Sequence, residues 1–244
     1  MGSQTFCISL IFGLIAFLTV FTFYKAFSNA KGFGMWAVLW FVVQICVSLS
    51  VFYVVIDTLL IRFALIFVPS LLPISWLFIS KSGKGYLDQM NLHLLTVIHV
   101  VRAPVEVVLY FMFICRLVPC EMTFGGGNLD IISGLSAPIV YYVAVMQGKT
   151  RWQLLLGWNV VCLGLLINMV SKSVLSAPFF FHQIAFDQPN VAFMHFPFVF
   201  LPGTIVPILL CSHLAMIRNL VKEYWYQHRA DSRSIAHSFL AERT

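Results

Sequence analysis

Positions 99, 102, 106 and 110 carry His, Arg, Glu and Tyr inside the run HVVRAPVEVVLY, at spacings of three, four and four. At about 100° per residue they fall on one stripe of a helix. The chemistry open to such a stripe is narrow. Arg102 and Glu106 can pair with each other at i, i+4, or they can divide the work, Glu106 as a proton-coupling carboxylate and Arg102 as an anion contact. A charge at the middle of a bilayer costs about 3 kcal/mol on insertion scales, so both side chains are expected to face a bundle interior. Pro104, between them, withholds the hydrogen bond that a backbone nitrogen would give the Val100 carbonyl, which predicts a kink.

A second stripe follows in FGGGNLDIISGLSAP, where Asp130, Ser133, Ala137 and Tyr141 recur at helical spacing with Gly134 beside them. Asn128 or Asp130 suits the helix N-terminus as a cap, and a carboxylate there also suits the helix dipole. The three glycines before it leave backbone N–H groups that could instead receive an anion. Asn168 and Lys172 stand one turn apart further on, and Lys172 either snorkels outward or pairs with Glu106, Asp130 or Asp187. Asn159 lies near mid-membrane and needs a hydrogen-bond partner on a neighbouring helix. The ligand-lining residues expected are therefore His99, Arg102, Glu106, Tyr110, Asp130, Asn168 and Lys172.

Three outer-loop candidates, His182, Asp187 and His195, have ligand types that would suit a metal together with Asp130. No HExxH or paired HxxxH accompanies them, so no metal and no cofactor is expected. A haem held between His93 and His213 lacks any supporting two-helix pattern. Six scattered cysteines form no CxxC pair and read as small apolar fillers, with Cys115 and Cys120 near enough in sequence for a bridge.

The elements that hold these residues follow from composition. The 244-residue chain is 60% hydrophobic and 10% charged, with 24 phenylalanines and a mean hydropathy of +0.92, far from a soluble domain. Apolar runs near the 20 residues needed to cross a bilayer extend from Phe6 to Tyr24, Met35 to Ile56, Leu59 to Ser80, Asn91 to Ile114, Leu129 to Met146, Trp152 to Val174 and Phe196 to Ile217. The fold class is thus all-α, a polytopic membrane protein of seven transmembrane helices. Residues 1–222 form one seven-helix domain and 223–244 a basic tail. The first run is read as a retained helix, since no Lys or Arg precedes it.

Lys25, Lys31, Lys81, Lys84, Lys149, Arg151, Arg218 and Lys222 all fall on one side of that topology. Basic loops stay cytoplasmic, which puts the N-terminus outside and the C-terminus inside. The net charge of +6 is explained in this way, and no nucleic-acid partner is implied. Tyr224, Trp225 and Tyr226 suit the headgroup level. The segment from Leu175 to His195 faces outside and is too rich in phenylalanine for a solvated loop, so it either lies in the interface or covers the bundle. The seventh helix has no Schiff-base lysine, and no GxSxG, P-loop or GxGxxG context appears.

The strings HVVRAPVE, FGGGNLDIISGLSAP, WNVVCLGLLINMV, SAPFFFHQIAFDQPN and FPFVFLPGTIVPILLCSH resemble a family of bacterial seven-helix integral membrane proteins, uncharacterised in activity. The resemblance implies a multi-pass inner-membrane protein and carries no functional residue over. Three functions are expected from the residues themselves. The first is an outward-opening polar cavity that binds or transports a small polar or anionic ligand, coupled to a proton on Glu106. The second is an intramembrane enzyme acting on a lipid or isoprenoid at the outer leaflet. The third is a structural or assembly subunit whose charges are packing devices. The lipid bilayer is the one partner that all three share, and the oligomeric state is left open.

Overall fold

Where lipid replaces water, backbone polar groups must be satisfied within the segment, and long apolar runs therefore become helices. The computed structural model describes residues 3–27, 31–49, 59–146, 151–177, 188, 190 and 192–241. Its helices are α1 (Ser3–Ala26), α2 (Lys31–Leu49), α3 (Leu59–Ile79), α4 (Lys81–Asp88), α5 (Leu92–Val97), α6 (Arg102–Ile114), α7 (Asp130–Tyr141), α8 (Trp152–Leu175) and α9 (Val206–Ala241). Among the described residues, four stretches are long and apolar enough to cross a membrane: Phe6–Ala26, Leu92–Ile114, Trp152–Leu175 and Leu201–Tyr226. The bent pair α3 and α4 makes a fifth if counted as one span, and Met35–Leu49 and Asp130–Ala144 are shorter apolar helices.

Prolines set the irregular turns. α5 and α6 form one rod joined by a 3₁₀ turn, Ile98–Val101, which ends three residues before Pro104, where the helical hydrogen bond to Val100 is missing. π turns occupy Tyr142–Met146, after Pro138, and Leu201–Ile205, which contains Pro202. Pro207 cannot donate to the Gly203 carbonyl, and the Trp40 indole takes that carbonyl instead at 2.7 Å, tying α2 to the last span. That span runs through the centre: Pro197 to Leu209 are all buried, and α1, α3, α5 and α8 pack around it.

The chain turns by 89° between α3 and α4. Ser80 caps α4, its Oγ accepting from Gly83 N at 2.8 Å, and a Cβ on Gly83 would lie 2.6 Å from the Leu77 Cα. α4 then closes one end of the bundle. Asp88 pairs with Arg218 and Lys222 of α9, Asn219 donates to the Leu87 carbonyl at 2.7 Å, and Asn91 N donates to the Ala26 carbonyl. Burial pushes the Asp88 carboxyl up, but hydrogen bonds and attraction from Arg218 and Lys222 outweigh it and hold the group below the ordinary carboxylate range. A carboxylate depressed in this way stabilises the fold above its unfolded pKa of about 4 and loses that contribution as pH falls through the folded value. Because the pair is partly exposed, Asp88→Asn is expected to cost no more than about 0.5 kcal/mol near neutrality. The difference in melting between wild type and variant shrinks towards zero below about pH 4; a constant difference across pH would argue against the ion pair.

Candidate functional site

α6 and α7 meet at Gly134, where a Cβ would fall 2.2 Å from the Ala103 backbone nitrogen. Only a residue without a side chain permits that approach, the small-residue packing of membrane helices. One turn earlier on α7, Asp130 is thereby brought within reach of Arg102, the residue next to Ala103. The Arg102 Nε donates to Asp130 Oδ2 at 2.8 Å and one Nη2 hydrogen to Oδ1, a bidentate ion pair. Nη2 also donates to the Cys162 carbonyl of α8 at 3.1 Å, and Nη1 stands 2.9 Å from His213 Nε2 of α9.

The roles of His213 follow from its neighbours. An arginine has donors only, so His213 Nε2 is the acceptor and its proton sits on Nδ1, which donates to Asn159 Oδ1 at 2.9 Å. Asn159 in turn gives Nδ2 to the Leu155 carbonyl at 2.8 Å. The amide and tautomer are assigned from these bonds. Four of the five N–H groups of Arg102 are spent in this way, and α6, α7, α8 and α9 are held at one point. Arg102 is 1% exposed and Asp130 4%.

Glu106 lies one turn beyond, fully buried. Its Oε1 accepts from Asn128 Nδ2 at 2.8 Å, while Oε2 has no partner. Asn128 is fully engaged: Nδ2 also donates to the Met122 carbonyl at 2.9 Å, and Oδ1 accepts from Asp130 N at 3.2 Å. The loop that carries Asn128 folds on itself. Gly126 N and Asn128 N both donate to the Thr123 carbonyl, and Gly127 N donates to that of Phe124. Gly127 has φ +82, left-handed backbone that glycine adopts without strain, and a Cβ on Gly126 would lie 2.1 Å from the Cys120 carbonyl oxygen. The backbone donors of Gly126 and Gly127 are thus used inside the loop and are not turned to an anion.

His99, Arg102, Glu106 and Asp130 therefore come together, but the ion pair of Arg102 is with Asp130 rather than Glu106. His99 is fully buried, stacked on His213 with ring centroids 3.9 Å apart and edge-on to Trp158 at 5.5 Å, and neither ring nitrogen has a partner. Tyr110, the fourth residue of the stripe, is not inside with the others: it is exposed, stacked on Phe124 at 4.8 Å. Lys172 donates to the Gly126 carbonyl at 2.8 Å, so among the described residues its partner is the glycine loop and neither Glu106 nor Asp130. Asn168 is half-buried on α8 and takes no part in the network. His195 is exposed; His182 and Asp187 lie outside the described residues, as does most of the segment from Leu175 to His195. Its described end is anchored, with Asn190 N donating to the Ser176 carbonyl at 2.9 Å.

Among the described residues, no three of His, Cys, Asp and Glu form a metal-holding group. His93 contacts Tyr141, well apart from His213 in its partners, and Cys115 and Cys120 are free thiols. Apolar crevices of about 330 and 270 Å³ lie against α1 to α3, α8 and the last span. Neither touches the network. Sequence reasoning missed Asn128 as the partner of Glu106 and His213 as the partner of Arg102. The one signal for the latter was Asn159, which needed a partner across a helix interface.

The family described as a domain of unknown function (DUF8737) matches residues 58–221, a stretch that contains every residue of the network. No curated protein and no solved structure matches the chain.

Proposed function

The chain belongs to the DUF8737 family, whose description carries no activity, and from the geometry we propose a multi-pass membrane protein of the cell's inner membrane in which Glu106 takes up and releases a proton. That exchange accompanies the binding or passage of a small polar ligand from the outer side. The reading takes seven crossings with the N-terminus outside. α3 counts as one crossing, with α4 bent off it along the end of the bundle, and α2 and α7 as short ones. Ala26, Asp88, Asn91, Arg218 and Lys222 meet at one end of the bundle, and the basic residues of that end make it cytoplasmic. Glu106 and the Asn128 loop then lie in the outer half.

The observation that carries the reading is the second carboxyl oxygen of Glu106, fully buried and without a donor. A carboxylate left in that condition in hydrocarbon is costly, whereas a proton or a donating ligand on Oε2 satisfies it. Arg102 has a different part. Four of its five donors are spent on Asp130, His213 and the Cys162 carbonyl, which favours a structural role for that pair over an open anion contact, so the polar ligand is not expected to be held by Arg102.

The test uses the full chain in lipid vesicles that enclose a pH dye, with an inside-negative potassium diffusion potential to drive protons inward. Wild type is expected to acidify the lumen above the rate of empty vesicles, and Glu106→Gln, nearly isosteric, to reduce that excess at least tenfold. Equal rates for wild type and Glu106→Gln, with both folded, would rule the proposal out.

A further inference from the structure

Resting on that reading of Glu106, we infer that His99 is a second proton station on the cytoplasmic side of the Arg102–Asp130 pair, and that His213, although stacked on it, is not. The two rings differ in what their nitrogens are doing. His213 has its lone pair against Arg102 Nη1 and its N–H on Asn159 Oδ1; to accept a proton it would have to break the arginine bond. His99 is as deeply buried, yet both of its nitrogens are free of partners. A neutral imidazole in that condition offers one lone pair and one N–H, the two functions a relay needs.

Its surroundings hold it in place without engaging those atoms. The faces of His99 and His213 stack at 3.9 Å with 19° between planes, and the edge contact with Trp158 fixes the ring from α8, whose indole is itself anchored on Ser136 Oγ at 2.9 Å. The charged and titratable groups that act on it are His213 from α9 and Arg102 on its own rod, and Arg102 in turn holds Asp130 of α7 and the Cys162 carbonyl of α8. Arg102 and Asp130 neutralise each other through a bidentate pair, so a proton passing them does not meet a bare guanidinium.

The step is a proton transfer with no redox change. The proton leaves Glu106 Oε2, which becomes a carboxylate, and crosses on water to the free lone pair of His99, which becomes an imidazolium. The other ring N–H then releases its proton towards the cytoplasmic end, and His99 is neutral again. Seven residues separate the stations, roughly 10 Å of helix rise, too far for direct transfer and within the span of a few hydrogen-bonded waters.

The experiment is the same vesicle assay, with the proton itself as the probe. His99→Phe keeps a ring against His213 and Trp158 and removes both nitrogens, and it is expected to lower proton uptake at least tenfold while the melting temperature is retained. His99→Ala, a second variant, leaves a ring-shaped gap; free imidazole in the buffer is expected to restore uptake in it, which a merely structural histidine would not allow. Uptake above half the wild-type rate in His99→Phe, with Glu106→Gln at background, overturns this inference and leaves the Glu106 reading standing. So does His99→Ala at background that imidazole fails to raise. Wild type at background, or Glu106→Gln at the wild-type rate, overturns the reading beneath it.

Discussion

Replacing Arg102 alone by Met is expected to cost the fold about 3–5 kcal/mol, because it strands the Asp130 carboxylate in a buried site. Asp130 is 4% exposed and takes both of its side-chain hydrogen bonds from Arg102, so among the described residues no other side chain compensates it. Asp130→Leu alone strands the guanidinium in the same way. The double replacement Arg102→Met with Asp130→Leu behaves differently. An apolar pair of similar volume is expected to fall within about 1 kcal/mol of wild type, since buried ion pairs regain through attraction little more than they lose in desolvation. The check is a double-mutant cycle on detergent-solubilised protein followed by denaturant or thermal unfolding. Additive single effects, with the double variant the least stable of all, would show that the pair is not the unit described. Such a variant also separates structure from function, since it keeps Glu106 and His99 while removing the strut between them.

Gly134→Ala is the second large effect. The added methyl would stand 2.2 Å from Ala103 N and 2.9 Å from Ala103 Cα, backbone atoms that cannot swing aside, so α6 and α7 must part. Overpacking of this kind costs about 1–3 kcal/mol, and parting the helices also pulls Asp130 off Arg102. A total near 3 kcal/mol is therefore expected, and Gly134→Val is expected not to fold. Ala103→Gly added to Gly134→Ala removes the Cβ contact but not the closer one to nitrogen, so it is expected to restore little. Wild-type melting in Gly134→Ala would mean that the close approach does not set the register of the pair. A second readout is the coupling energy between Arg102 and Asp130, which is expected to fall in the Gly134→Ala background.

The helical character and the buried stripe were legible along the chain. Apolar runs longer than a soluble protein tolerates leave helices as the economical solution in lipid, and charges at i, i+3 and i+7 in such a run must face inward. His99, Arg102 and Glu106 are all buried as that argument requires. A 3₁₀ turn stands before Pro104, and the Gly203 carbonyl that Pro207 leaves free is taken by Trp40. Asn159 found its partner across an interface, in His213.

Sequence period fixes which residues share a face of one helix; it says nothing about the distance between two helices. For Arg102 the local rule offered Glu106 at i+4, and the packing chose Asp130, twenty-eight positions away, because the missing Cβ of Gly134 lets α7 approach. The same holds for Asn128, which reads locally as a helix cap and in space joins that cap to Glu106. It holds again for the two stacked histidines, which come from the first and last helices of the network. From the sequence came an all-α membrane chain and the list of groups that lipid would force inward. Tertiary structure alone decided which of those groups were spent on one another and which, on Glu106 and His99, were left open, because hydrogen bonds between helices depend on backbone separations that no helical repeat encodes.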